Sequence, residues 1–168
     1  MRLPRLALVA LCAGCAAKPP QEQSEWERRN LQSQPPAEET IAPPAYPAAA
    51  NLVEFRVIDA GGFRYFIDRA SLSTSKEGVV RYVLVAQSSE GVQNVTYEAM
   101  RCAAAEQRVL AVGHADGSWV AARGDWRRIA TPRYLTLYRE FFCPQNEPIR
   151  TAAEGVRALE QGAPGPTR

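Results

Sequence analysis

The fold is decided by one apolar stretch, Gly78-Val79-Val80-Arg81-Tyr82-Val83-Leu84-Val85. Its β-branched and aromatic side chains fit the pleated surface of a sheet. Residues 88–91, Ser-Ser-Glu-Gly, have the composition of a turn. We therefore predict a central strand in this stretch, followed by a turn and a return strand.

Alternating hydrophobicity on both sides of the central strand predicts its neighbours. Gly61-Gly62 can supply the positive φ angles of a tight turn. Asp116-Gly117 is a strong hairpin signal. In the return strand, Tyr97 falls on the apolar face and Glu98 on the polar one. The predicted strands cover residues 52–58, 63–68, 79–85, 92–102, 108–114 and 118–122.

The hydrophobic period then changes from strand to helix. Thr131 can cap a helix that has Pro132 in its first position. Pro148 predicts the start of a second helix. The first helix would carry Tyr134, Leu135, Tyr138, Phe141 and Phe142, and the second Ile149, Ala152, Val156 and Leu159. Strands followed by helices predict a single small α+β domain, an antiparallel meander covered by C-terminal helices.

Length and charge exclude several classes of protein. The chain has 168 residues, 46% of them hydrophobic, so one core can form. A net charge of +2 does not suit a dedicated nucleic-acid binder, for which a clustered basic face is typical. The sequence contains no run of about 18 or more apolar residues, so we predict no membrane-spanning helix.

The first residues have the layout of an export signal. Two arginines precede a short apolar run that ends in Leu11-Cys12-Ala13-Gly14-Cys15, which resembles a bacterial lipobox. We predict a signal peptide at residues 1–14 and acylation of Cys15, which would anchor the protein to a membrane. Ala16 after the cysteine favours the outer membrane by resemblance to lipoprotein sorting. The alternative is a plain signal peptide cleaved after Ala17.

A Pro-rich segment separates the leader from the domain. Residues 15–50 contain repeated Pro-Pro pairs together with Gln, Glu and Ala, which predicts a lipidated, flexible tether. Trp26 is either a docking anchor or an incidental aromatic in a solvated linker. We place the globular domain at residues 51–161 and a disordered tail at residues 162–168.

Two cysteines remain in the domain. Cys102 ends a predicted strand and Cys143 a predicted helix, and they form neither a C-x-x-C pair nor part of a metal quartet. Because two cysteines in an oxidising compartment most often pair, we predict a disulfide. Two buried thiols are the alternative.

Candidate chemistry is sparse. His114, the only histidine, lies beside Asp116 in the predicted hairpin, but no second histidine completes a metal site. We expect it to be a surface turn residue. No nucleophilic-serine motif and no glycine-rich phosphate loop occurs. We therefore predict no catalytic residue, no metal and no cofactor.

One stretch of the chain is rich in arginine and tryptophan. Both residue types are enriched at interaction hot spots. The alternative is a hairpin with buried tryptophans and solvated arginines. The candidate binding surface comprises Trp119, Arg123, Trp126, Arg127, Arg128 and Arg133.

Several short motifs together resemble one family. They include Pro44-Ala45-Tyr46-Pro47, Phe66-Ile67-Asp68, Asn94-Val95-Thr96-Tyr97-Glu98, Asp116-Gly117-Ser118-Trp119 and Phe141-Phe142-Cys143-Pro144. Their order and spacing resemble the cryptic neisserial protein (CNP-like) family of exported bacterial proteins. The resemblance implies an envelope location, one compact domain and a scaffold role for Cys102 and Cys143. It implies no activity.

The sequence thus predicts a membrane-anchored lipoprotein on the periplasmic side of the outer membrane. Its domain would be a non-catalytic binding or assembly module, and its partner an envelope protein, a glycan or an anionic lipid. A periplasmic hydrolase acting on glycan or peptide and a surface-exposed adhesin are the alternatives.

Overall fold

The computed structural model describes residues 41–58 and 60–162. The predicted signal peptide, Cys15, residues 16–40 of the predicted tether and residues 163–168 of the predicted tail lie outside the described residues. Predictions about them, including the role of Trp26, stay predictions.

The described residues form an antiparallel sheet in meander order, as predicted. Strands β1 to β6 follow one another across the sheet, and β7 pairs with β5 beside β6. The strands are β1 Leu52–Phe55, β2 Arg64–Thr74, β3 Val79–Gln87, β4 Gln93–Arg101, β5 Glu106–Gly113, β6 Trp119–Ala121 and β7 Arg127–Arg128. The apolar residues Val79 to Val85 lie in β3, at the centre of this sheet.

Two helical segments follow the sheet. Helix α1, Pro132–Thr136, continues directly into a π-helical stretch, Leu137–Phe142. Thr131 precedes the helix as predicted, but its side chain makes no cap hydrogen bond. After a 3-10 turn, Pro144–Asn146, the chain reaches helix α2, Ala152–Gln161.

The predicted start of the second helix was wrong. Helix α2 begins at Ala152, four positions after Pro148. Its cap is Thr151, whose hydroxyl accepts a hydrogen bond from the Glu154 N–H, while Glu154 Oε2 accepts one from the Arg150 N–H at 2.8 Å. This reciprocal capping fixes the helix start. Ile149 is buried although it precedes the helix.

The sheet separates two apolar clusters. The first face carries Ile67, Tyr82, Leu84 and Met100, which pack against α1, the π-helical stretch and α2. The second face carries Val83, Val85, Val95, Tyr97 and Ala111. Because side chains alternate along a strand, each of the central strands contributes to both clusters.

The N-terminal end of the described chain lies on the second face. Ile41 and Tyr46 pack against its apolar cluster, and a Cβ atom at Gly113 would come within 2.8 Å of Tyr46 Cε2. The compact unit accordingly begins at Ile41, ten residues before the predicted domain start at Asn51.

Candidate functional site

The six residues of the predicted binding surface lie on different parts of the sheet. Trp119, on β6, belongs to the second-face cluster, where its indole N–H donates to the Pro44 carbonyl at 3.0 Å. Its ring centroid lies 5.6 Å from that of Tyr46. Trp119 therefore holds residues 41–48 on the sheet and is not an exposed anchor.

Trp126 and the β7 arginines that follow it lie near the start of β5. The guanidinium carbon of Arg101 lies 3.9 Å from the Trp126 ring centroid. Arg127 and Arg128 form β7 and are exposed, as is Arg123. The exposure of these arginines fits both alternatives, solvated side chains and a binding surface.

Arg133 lies among first-face residues. Its guanidinium carbon lies 4.5 Å from the ring centroid of Tyr134, a buried member of the first-face cluster. The structure thus separates Arg133 from Trp119 by the thickness of the sheet. The predicted set does not form one continuous patch.

A buried carboxyl group lies beneath Arg133 and Tyr134. Glu98 Oε1 accepts hydrogen bonds from the Tyr134 hydroxyl at 3.0 Å and from the Thr96 hydroxyl at 2.8 Å. Burial raises the pKa of Glu98 above its ordinary value, and these two hydrogen bonds oppose the rise. Its cross-strand neighbour is Tyr82. The sequence pattern did not indicate this site, because a polar residue in an alternating strand is expected to face solvent.

Arg133 and Tyr134, which lie over Glu98, interact with it electrostatically. Burial acts to lower the pKa of Arg133, but the Tyr134 hydroxyl and the charge of Glu98 outweigh burial and raise it. Burial also raises the pKa of Tyr134. Glu98 is only 1% exposed. A group so enclosed cannot meet a dissolved substrate, so the arrangement contributes to the fold.

An open groove lies at the other end of the first face. It runs between the β1–β2 hairpin end, the π-helical stretch and the C-terminal end of α2, with a volume of about 1010 Å³. Phe55, Tyr65 and Phe141 are the buried aromatic residues among those that line it. Phe63 projects beside them and is 37% exposed.

The aromatic residues of the groove contact one another. The Phe55 ring centroid lies 6.0 Å from that of Tyr65 and 6.1 Å from that of Phe141. Phe63 lies 6.3 Å from Tyr65. These separations are within the range of favourable aromatic pairs, so the apolar surface is preformed.

Charged residues surround this aromatic surface. Arg64 donates to both carboxylate oxygens of Glu54, with a distance of 3.0 Å between Nε and Oε1. This hydrogen bond lowers the pKa of Glu54. Arg69 pairs with Glu160 of α2 at 2.8 Å. Glu140 also lines the groove and makes no ion pair within the described part of the chain.

The edge of the sheet borders the same groove. Among the described strands, β1 pairs with β2 alone. Residues Glu54 to Ile58, which include the end of β1, line the groove. An edge strand beside an apolar groove can accept an extended peptide through backbone hydrogen bonds.

The predicted disulfide is confirmed. Cys102 and Cys143 are bonded, with their Cα atoms 5.3 Å apart. The bond joins the end of β4 to the end of the π-helical stretch. The Tyr138 hydroxyl lies 2.9 Å from the Cys102 carbonyl oxygen, which adds a second link at the same point.

His114 lies in the β5–β6 turn and is exposed. Its carbonyl accepts a hydrogen bond from the Gly117 N–H at 2.9 Å, and Asp116 Oδ1 accepts one from the Ser118 N–H. Both residues therefore shape the turn. Residues 41–58 and 60–162 contain no cluster of three or more His, Cys, Asp or Glu side chains suited to a metal ion.

Within the same described residues, no helix combines the length and hydropathy needed to cross a membrane.

The comparisons with known proteins assign the family. The model of the CNP1-like family matches residues 31–160 of this chain, and the chain belongs to that family. The match begins ten residues before the first described residue and ends within α2. Searches among characterised proteins and among solved structures found no match.

Proposed function

We propose that this CNP1-like protein is an outer-membrane lipoprotein facing the periplasm, with a non-catalytic domain that binds an extended peptide segment of an envelope partner. The leader up to Cys15 supports the anchor. The Cys102–Cys143 bond supports an oxidising compartment, because disulfides are rare in reducing ones.

The groove carries the binding part of the proposal. It offers a partly exposed Phe63 supported by buried aromatic rings, and the edge strand β1, which pairs only with β2 among the described strands. An extended peptide could extend the sheet at β1 and pack a side chain against Phe63, the exposed aromatic residue of the groove. The paired charges Glu54–Arg64 and Arg69–Glu160 add little to affinity, so Phe63 and the strand edge carry most of it.

A displayed library of linear peptides can test the groove directly. Peptides would be selected on the immobilised, disulfide-bonded chain and then compared on Phe63→Ser. The matched control is Val92→Ser, which removes another exposed apolar side chain from the turn after β3. Selected peptides should bind the wild type and the Val92 variant equally.

Loss of Phe63 should weaken those peptides about tenfold, which corresponds to roughly 1.4 kcal/mol. No enrichment of peptides that depend on Phe63 would contradict the proposed site. The anchor is tested separately by labelling with a fatty-acid probe, which should mark the wild type and miss Cys15→Ala. Turnover of a glycan or peptide substrate, abolished by one side-chain substitution, would contradict the non-catalytic proposal.

A further inference from the structure

The C-terminal end of helix α2 lies at the groove. The helix ends at Gln161, and Gly162 leaves it with φ +75°, which is accessible to glycine at little cost. Its N–H donates to the Leu159 carbonyl at 3.2 Å. Gln161 and Gly162, the last described residues, both line the groove.

The composition of the next six residues fits an aromatic groove. They are Ala163-Pro164-Gly165-Pro166-Thr167-Arg168. Proline pre-orders a chain in the polyproline II conformation, which lowers the entropy lost on binding. Aromatic-lined grooves recognise such segments. Phe63 gives the groove an exposed aromatic ring, whose centroid lies 6.3 Å from that of the buried Tyr65.

Charge agrees with the same assignment. Glu54 and Glu160 are paired with Arg64 and Arg69, whereas Glu140 makes no ion pair among the described residues. It is therefore available to the positive charge of Arg168.

We propose that residues 163–168 occupy the groove as a built-in competitor of its partner. The regulatory role rests on the proposed peptide-binding function, but occupation of the groove by the tail does not. A segment tethered at the rim has an effective concentration in the millimolar range. Even weak contacts would therefore keep the groove occupied until a stronger peptide displaces the tail.

The experiment uses residues 15–168 with Cys15→Ser, so that the chain is not acylated. NMR signals of Phe63, Tyr65 and Phe141 would be compared in the presence and absence of Pro164→Asp/Pro166→Asp. The substitutions should shift these groove signals and leave Val92, in the turn after β3, unchanged. The synthetic hexapeptide Ala-Pro-Gly-Pro-Thr-Arg is then added in trans.

The hexapeptide should return the groove signals of the double-Asp chain toward their wild-type positions. The chain with an intact tail should bind it about fivefold more weakly, because the tail competes. A control hexapeptide with Asp at both proline positions should not shift the groove signals. Equal titration of both chains, or no binding to either, would overturn the proposal.

The result separates the two proposals. If library peptides bind in a Phe63-dependent way but the hexapeptide does not bind, the peptide-binding function is supported and the tail is not a competitor. A hexapeptide that binds, combined with no Phe63-dependent library peptide, would retain tail docking and remove the external partner.

Discussion

The two faces of the sheet are covered in different ways. The first face is covered by two helical segments, with a disulfide joining strand to helix. The second face carries a smaller apolar cluster, against which residues near Tyr46 pack. Trp119 joins this segment to the sheet through one hydrogen bond and one aromatic contact.

This difference shows how stability and function are distributed. The first-face helices enclose Glu98 at one position and leave an open groove at another. The second-face segment is the continuation of the predicted tether. Any displacement of this segment would therefore expose apolar residues of the sheet such as Val95 and Tyr97, and leave the first face intact.

Removal of the disulfide should have the largest effect and act through the first face. The bond spans 41 residues, and the chain-entropy model gives a stabilisation of about 4 kcal/mol for a loop of that size. Urea denaturation of Cys102→Ala/Cys143→Ala should show a loss of this order. A midpoint unchanged from the oxidised wild type would contradict the scaffold role.

A pair of glycine substitutions compares the two faces directly. At Gly155 in α2, a Cβ atom would lie 2.6 Å from Ile149 Cδ1 and 2.7 Å from Leu72 Cδ2, both in the first-face core. Overpacking of a closed core destabilises by about 1–3 kcal/mol, whereas the higher helix propensity of Ala stabilises by about 1 kcal/mol. Gly155→Ala should therefore destabilise by about 1 kcal/mol.

The second-face counterpart is Gly113→Ala. Its Cβ would contact Tyr46, which is half-buried and can move outward. We expect a loss below about 1 kcal/mol in thermal unfolding. Trp119 fluorescence should change in this variant and stay constant in Gly155→Ala. The opposite pattern would mean that the second face is the more rigid one.

The sequence predicted the elements better than their long-range contacts. The strand at Val79 to Val85, the meander order and the helix at Pro132 follow from local periodicity and turn residues. The packing of Tyr46 does not, because Pro44 and Trp119 are 75 positions apart and Pro-rich composition is typical of linkers. Local sequence patterns do not predict a contact between residues so far apart in the chain.

The candidate site was harder to predict for the same reason. The groove combines residues near Phe63, Glu140 and Gly162, which no single motif brings together. Binary patterning placed Glu98 on a polar face, although the Tyr134 side chain covers it. The stretch from Trp119 to Arg133 was continuous in sequence, but it is divided between the faces in the fold.

The smallest effect should be a change in pH dependence at Glu98. Burial raises its pKa above the ordinary value of 4.5, so the native state binds this proton more tightly than the unfolded state. The resulting stabilisation is complete below about pH 4.5 and is lost as pH rises through the raised pKa. Glu98→Gln removes the ionisation while keeping an oxygen that can accept from Tyr134 and Thr96.

The difference in free energy of unfolding between Glu98→Gln and wild type should therefore increase from pH 4 to pH 7, in favour of Gln. Other carboxyls contribute equally to both chains, so the difference isolates Glu98. Urea unfolding at each pH measures it, and Glu140→Gln, at an exposed position, is the control for an amide on the surface. A difference that stays constant with pH would show that the pKa of Glu98 is the same in the native and unfolded states, which would contradict the prediction. The enclosed end of the first face would then be insensitive to pH.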